Sequence, residues 1–310
     1  MTENEFLLQD RLSKIKSTIA KYGEENFYQS FSGGKDSTVL SALLDMACPG
    51  NKIPRVYANT GIEYRLILDF VEREREKEHP WELVILKPTK NIRQMLEEDG
   101  YPFKSKFHAE AVALYQAGKK DHVLCKEYRT RMSPWNSRKC PKRLLYQFED
   151  EWQGLKISDK CCDRLKKEPL HRYQKESGKI YSIIGIMPSE GGRREKAKCM
   201  VFRDDKLKAF QPLVPVTKEW EEWFIEAYNV DICEIYKPPY NFERTGCKGC
   251  PFALHLQQEL DTLERFFPAE RKQCELIWKP VYDEYRRLGY RLRKNGEGKQ
   301  LTIQEVIDDE

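Results

Sequence analysis

The chain has no apolar run approaching the roughly 18 residues that a membrane-spanning helix needs, and its 310 residues average out strongly hydrophilic. Its first residues, Met1-Thr2-Glu3-Asn4-Glu5, lack a basic region followed by an apolar one, so no secretory signal is expected and the expected location is the cytoplasm, with no membrane partner. It contains no internal repeat and no low-complexity tract, which excludes solenoid and tail-like architectures. It has little charge imbalance. A net charge of +4 does not by itself argue for nucleic acid. It also lacks the Walker A spacing, in which four residues separate a glycine from Gly-Lys.

What it does have is Ser32-Gly33-Gly34-Lys35-Asp36-Ser37. The stretch follows an apolar run from Phe27 and precedes Thr38-Val39-Leu40-Ser41-Ala42-Leu43-Leu44, which has helical periodicity. Strand, glycine turn and helix start aim backbone N–H groups and a helix dipole at one point, and that suits a phosphate. Gly33 and Gly34 permit close backbone approach. Ser32 and Ser37 add hydroxyls and Lys35 a cation. Asp36 is unexpected in an anion site unless it holds the loop or a Mg²⁺. A lone glycine pair could merely pack a helix on a sheet. Six residues in this order point instead to phosphate binding. The stretch resembles the Ser-Gly-Gly-x-Asp-Ser signature of PP-loop (N-type ATP pyrophosphatase) proteins, which implies binding of ATP and its cleavage to AMP and pyrophosphate.

The flanking pattern alternates strand and helix. Helix is expected over Glu5–Tyr22 and strand over Phe27–Phe31, with the next helix running to Met46. A second strand, Arg55–Asn59, leads into the Asn59-Thr60-Gly61 loop; a helix from Tyr64 to His79 and a strand over Glu82–Leu86 follow. The fold class read from this order is α/β, a parallel sheet with helices on both faces, and ligands of such sheets sit beyond the strand C-termini. A helix over Ile92–Asp99 precedes an irregular, basic and aromatic insertion at about 100–140. Between Lys119 and Arg143 lie nine Lys and Arg against Asp121 and Glu127. That segment is either a solvated insertion or cap, or a gate or a surface meeting DNA or tRNA, with phosphates met by Lys and Arg and bases stacked on Tyr128 or Trp135. Helix is expected over Lys142–Trp152, then strand over Lys179–Ile186, ending at Gly185 and a polar loop with Arg193 and Arg194. A last strand at Ala209–Leu213 and a helix over Glu219–Tyr228 precede a helical region from Pro251 to Leu292. The expected division is a nucleotide-binding domain over 1–252 and a helical extension over 253–310.

Ten cysteines are many for a reducing compartment, and metal or catalysis is the better account of any well-spaced subset. Cys161-Cys162 and Cys247-Lys248-Gly249-Cys250 form two pairs. Adjacent side chains diverge on a helix, so four such thiolates favour a [4Fe–4S] cluster, with Zn²⁺ the alternative. The other six read as buried small side chains.

The two pairs resemble the cluster motif of assimilatory adenylyl-sulfate reductases. So do Cys161-Cys162 ahead of Pro169-Leu170, Pro239-Tyr240-Asn241 ahead of Gly246-Cys247, Pro212-Leu213 before the Trp220 and Trp223 helix, and Gly185 with Arg193 or Arg194. Asn59-Thr60-Gly61 is similar to the family's Asp-Thr-Gly loop. The chain is identified as a member of the phosphoadenosine phosphosulfate (PAPS) reductase family in the broad sense, an adenine nucleotide alpha hydrolase-like fold. The family's nucleophilic cysteine in a Glu-Cys-Gly-x-His tail is not matched, since Cys274 is the last cysteine. The intact glycine loop beside a cluster motif instead resembles DndC-type DNA phosphorothioation proteins and some tRNA thiolation enzymes.

The resemblance implies an ATP-dependent adenylating or sulfur-transfer enzyme. Ser32, Gly33, Gly34 and Ser37 would cradle the phosphates and Asp36 would hold Mg²⁺. Lys35 with Arg193 or Arg194 would meet the leaving pyrophosphate. Asn59, Thr60 and Gly61 would face the adenosine, and a sulfur species held at the cluster would displace AMP. The alternatives are a sulfonucleotide reductase and a non-catalytic subunit of a modification or defence complex. A homo-oligomer, and protein partners, are expected.

Overall fold

The structure is a computed structural model that describes residues 1–132, 139–152, 154–188 and 195–294. Two compact units divide the chain: Met1–Thr89 with Lys166–Thr245, and Lys90–Leu165 with Gly246–Glu310. The expected break at residue 252 is not where these contacts part. The second unit instead joins the segment that begins at Lys90 to the one that begins at Gly246.

The first unit is built on six strands: β1 (Phe27–Phe31), β2 (Arg55–Ala58), β3 (Leu83–Leu86), β4 (Tyr181–Ile184), β5 (Met200–Arg203) and β6 (Lys206–Phe210). Their order is β3-β2-β1-β4-β6-β5. Every pairing is parallel except β5 with β6. β1 lies between two neighbours and is buried on almost every residue, as a parallel strand covered on both faces should be. Helices α1 (Glu3–Tyr22), α2 (Lys35–Ala47), α3 (Arg65–Glu76), α7 (Glu168–Ser177) and α8 (Lys218–Ala227) complete the unit. α1 begins with a capping box between Thr2 and Glu5. It buries Leu8, Ile15 and Ile19 in one core with Val39, Leu40, Leu43 and Leu44 of α2 and with Phe210, Trp220 and Phe224.

The chain leaves β1 toward β2 on one side and returns to β4 on the other. The strand order therefore reverses between β1 and β4, and the loops after these two strands flank the switch point where open α/β sheets bind ligands. The glycine loop follows β1, and Gly185 follows β4.

The second unit contains α4 (Ile92–Asp99), α5 (Lys106–Gln116), α6 (Val123–Thr130), α9 (Leu256–Phe266) and α10 (Pro268–Leu288). α5 and α6 correct the expectation of an irregular segment from residue 100: Ser105 caps α5, and Ala109, Ala111 and Val112 form its buried face. The segment expected to be helical over Lys142–Trp152 is a 3₁₀ turn over Lys142–Phe148. The last expected strand lies earlier, at Lys206–Phe210, paired with the unforeseen antiparallel β5. Among the described residues no helix is long and apolar enough to cross a membrane.

Candidate functional site

The glycine loop is held by its own hydroxyls. The Ser37 hydroxyl accepts from the Ser32 N–H at 3.2 Å and donates to the Gly34 carbonyl at 2.8 Å. Ser32 Oγ accepts from the Gly34 N–H at 3.2 Å and lies 3.0 Å from Ser37 Oγ. From β1, the Gln29 amide donates to the Ser37 carbonyl at 2.7 Å. Ser32 and Ser37 thus shape the loop from within.

The two glycines are required for different reasons. Gly33 has φ +68°, and a Cβ there would stand 2.9 Å from Val71 Cγ2 and 3.1 Å from Ile67 Cγ2 of α3. Gly34 has ordinary φ but is approached closely: a Cβ would lie 3.0 Å from Ser32 Oγ and 3.3 Å from the Tyr236 hydroxyl. The loop after β4 meets the same point. A Cβ on Gly185 would lie 3.0 Å from the Asp36 carbonyl oxygen, so the two strand-end loops touch through backbone alone.

Lys35 is directed at a residue that sequence reasoning missed. Its Nζ lies 2.9 Å from Glu221 Oε2 on α8. Glu221 is 0% exposed, and neither of its carboxylate oxygens has hydrogen-bond geometry to a donor. Burial pushes its pKa up to about 7; the Asp36 charge adds to the rise and Lys35 opposes it. A glutamate in Thr217-Lys-Glu-Trp-Glu221 reads as solvent-facing. Its burial follows because Thr217 caps α8 and so sets Trp220, Glu221 and Phe224 against the core.

The Asn59-Thr60-Gly61 loop is closed by Glu63, also unforeseen. Its carboxylate accepts from the Thr60 N–H at 3.1 Å, the Thr60 hydroxyl at 2.6 Å and the Gly61 N–H at 3.0 Å. Asn59 Oδ1 also accepts from the Gly61 N–H. The Thr-x-x-Glu spacing was the available signal. Arg193 and Arg194 lie outside the described residues.

The four cysteines all fall in the second unit. Cys161 and Cys162 open a helical run that passes through a π-helical turn at Asp163–Lys167. The Cys161 thiol is pushed up by its hydrogen bond to Cys162, by burial, and by the charges of Cys162, Cys250 and Cys247. Cys250 is pushed up by burial first and then by Cys247, among other neighbours that include Cys162. The two pairs therefore act on each other. Among the described residues no group of three or more His, Cys, Asp or Glu is arranged to hold a metal ion. All ten cysteines are free thiols.

α10 fixes the Cys247–Cys250 turn. Trp278 Nε1 donates to the Lys248 carbonyl at 3.1 Å and the Tyr282 hydroxyl to the Gly249 carbonyl. The buried Lys248 ammonium pairs with Glu270 at 2.9 Å and donates to Gln273 at 2.8 Å. Gly249 has φ +60°, and a Cβ there would press to 2.5 Å from the Tyr282 oxygen and 2.8 Å from Cys274 Sγ. Cys274 is thus a packing residue of this turn. Gly249→Ala is expected to destabilise the protein by about 2 kcal/mol, from left-handed backbone plus overpacking, read as a lower denaturant midpoint.

The sequence matches the phosphoadenosine phosphosulfate reductase domain over residues 26–120 and 108–253. An uncharacterized protein of Methanocaldococcus jannaschii is 28% identical over 297 residues, covering 91% of this chain and 55% of that protein. The chain thus spans about half the length of that relative. Among solved structures, PAPS reductase from Candida auris is similar at 13% identity and TM-score 0.42, covering 77% of this chain and 95% of that one. FMN adenylyltransferase from Candida glabrata is similar at 16% identity and TM-score 0.45, with 77% and 61% covered. The U34-tRNA thiolase NcsA from Methanococcus maripaludis, solved with its [4Fe–4S] cluster, is similar at 16% identity and TM-score 0.37, with 92% and 79% covered. With its domain match running from β1 to just past the Cys247–Cys250 turn, the chain belongs to the phosphoadenosine phosphosulfate reductase domain family.

Proposed function

We propose that the protein binds ATP at the glycine loop and splits it between the α- and β-phosphates, adenylating an acceptor oxygen that then receives sulfur. The observation that carries this reading is the glycine loop itself, which follows the central strand at the sheet's switch point and opens α2. Neighbouring atoms approach the backbone closely at Gly34 and at Gly185, where a Cβ would press on Ser32 Oγ and on the Asp36 carbonyl oxygen. An acceptor oxygen attacks the α-phosphorus, the α–β anhydride bond breaks, and pyrophosphate leaves with the electron pair. A sulfide-equivalent donor then displaces AMP.

Asp36 is the proposed carboxylate donor for a divalent cation, since the Glu221 carboxyl beside it is buried and already paired with Lys35. Mg²⁺ bound there would screen the phosphate charge. Lys35 and Arg193 or Arg194 are proposed to face the departing pyrophosphate, and Asn59, Thr60, Gly61 and Gly185 to border the nucleotide. Cys161, Cys162, Cys247 and Cys250 are proposed to hold a [4Fe–4S] cluster, with Zn²⁺ the alternative. Deprotonated on binding, the four would be thiolate ligands, and an adjacent pair suits a centre larger than a single ion. A bound cluster would supply an iron site for a sulfur ligand.

Nucleic acid, DNA or tRNA, is the proposed acceptor class. In the described part of the basic segment, Lys120 is paired with Asp150, Arg129 lies over Tyr115 and Arg143 over Tyr290. Lys119, Lys139 and Lys142 are exposed and available to phosphates.

The test is incubation with α-labelled ATP. Labelled AMP and free pyrophosphate are expected, with Asp36→Asn lowering the rate about 100-fold. Sulfite release from a sulfonucleotide without ATP would establish the reductase reading, which the family match favours, instead.

A further inference from the structure

The hydroxyl from outside the loop that comes nearest a Cβ placed on Gly34 belongs to Tyr236. A Cβ on Gly34 would lie 3.3 Å from this oxygen and 3.9 Å from Thr245 Oγ1. The two hydroxyls are hydrogen-bonded to each other. Gly34 is followed directly by Lys35, whose N–H is the first of α2. The phenol therefore stands beside a backbone donor that a phosphate at this helix start would use.

Its position is imposed by the scaffold. Tyr236 ends a 3₁₀ turn, Glu234–Tyr236, whose Ile235 is wholly buried. The Cys233 thiol donates to the Leu66 carbonyl of α3 at 3.3 Å, and Arg73 of α3 pairs with Glu234 at 3.4 Å. The chain returns through Phe242, whose N–H donates to the Ile235 carbonyl at 3.0 Å and whose ring meets Tyr64 edge-on at 5.1 Å. α3 also supplies Ile67 and Val71 against Gly33. One helix thus fixes both the floor of the loop and the turn that carries the phenol.

We propose that Tyr236, braced by Thr245, is a phosphate ligand of the glycine-loop site, donating its O–H to a β- or γ-phosphate oxygen of the bound nucleotide. The proposal rests on the ATP reading above. Burial keeps the phenol protonated at neutral pH, and so it is a donor. Thr245 offers an alternative partner when no anion is there, so the hydroxyl is not left without one between binding events. A bond from a neutral donor to a charged phosphate is worth about 10- to 100-fold in affinity.

Equilibrium binding of ATP, inorganic pyrophosphate and adenosine to the full chain tests this, with wild type, Tyr236→Phe, Thr245→Val and the double variant. Tyr236→Phe is expected to weaken ATP and pyrophosphate at least 10-fold and to leave adenosine unchanged, with an unaltered circular dichroism spectrum. Thr245→Val is expected to have a smaller effect of the same selectivity, and the double variant to resemble Tyr236→Phe alone. A merely structural tyrosine would weaken all three ligands together. Unchanged or tighter ATP binding by Tyr236→Phe would overturn the proposal, showing a plug or a bystander. Failure of the wild type to bind ATP or pyrophosphate would overturn the ATP reading and this proposal with it.

Discussion

Lys35→Met is expected to destabilise the protein by about 2–3 kcal/mol at pH 8, read as a shift in the denaturant midpoint at constant slope. The basis is the asymmetry of the Lys35–Glu221 pair. The Lys35 side chain is 18% exposed and that of Glu221 0%. Without Glu221 the ammonium can reach water, so Glu221→Gln is expected to stabilise the protein by up to about 3 kcal/mol at pH 8 and to change it by no more than about 1 kcal/mol near pH 4.5. Without Lys35 the Glu221 carboxyl is sealed in beside Asp36 and holds its proton rather than bear an unpaired charge. The penalty has a signed pH dependence. Glu221 already binds its proton more tightly folded than unfolded, and loss of Lys35 raises its pKa further. The destabilisation is therefore largest near pH 8 and shrinks as pH falls toward the ordinary carboxylate range near 4.5, where both states are protonated. Lys35→Met with Glu221→Leu is expected to recover most of the stability, because an apolar pair replaces an ion pair at similar volume. ATP turnover by that double variant separates the lysine's part in the fold from its part in phosphate chemistry. Recovered stability with lost turnover assigns Lys35 to the reaction.

The pair also shows which parts of the molecule a sequence discloses. The glycine turn was legible because strand, glycines and helix start are contiguous, and local periodicity carried β1, α2 and α4 close to their observed bounds. Glu221 and Tyr236 were not legible as neighbours of Lys35 and Gly34. They come from far along the chain, and only closure of the sheet brings them to its switch point. Sequence reading expected Ser32 and Ser37 to meet phosphate, whereas their hydroxyls bond within the loop. Spacing cannot tell a ligand-facing hydroxyl from one that closes a turn. β5 was overlooked because its residues are half-exposed at a sheet edge and carry no apolar alternation. α5 and α6 were hidden by charge: their buried positions include Ala109, Ala111, Cys125 and Tyr128, small or amphipathic residues that a search for leucine-like periodicity passes over. The cysteine pairs were legible as pairs. What holds their turn was not, because Trp278 and Tyr282 lie on a helix that begins beyond it.

Acidification is expected to weaken the protein through one buried histidine. His108 on α5 is 0% exposed; its Nε2 lies 2.7 Å from Gln147 Oε1 and its Nδ1 3.1 Å from the Tyr128 hydroxyl. Gln147 Oε1 can only accept, so Nε2 carries the proton and Nδ1 accepts from Tyr128. Both ring nitrogens of the neutral imidazole are thereby satisfied. Phe103 and Phe148 pack around the ring. Burial lowers its pKa to about 3, with Lys104 and Arg291 adding to the fall and Gln147 opposing it. The unfolded chain binds this proton near pH 6.5 and the folded chain only near 3. The contribution is therefore intact above pH 6.5 and is lost as pH falls, at about 1.4 kcal/mol per pH unit and approaching about 5 kcal/mol at the lower limit. Glu221 acts in the opposite direction over part of this range, so the wild-type curve alone does not isolate the histidine. The difference between wild type and His108→Gln does, since the amide can still donate to Gln147 and cannot titrate. His108→Gln is expected to be less stable than wild type at pH 8, by about 1–2 kcal/mol for the imperfect packing. It is expected to draw level or overtake near pH 5. A constant difference between the two proteins from pH 8 to pH 5 would show that His108 takes up its proton in the folded state as readily as in the unfolded one.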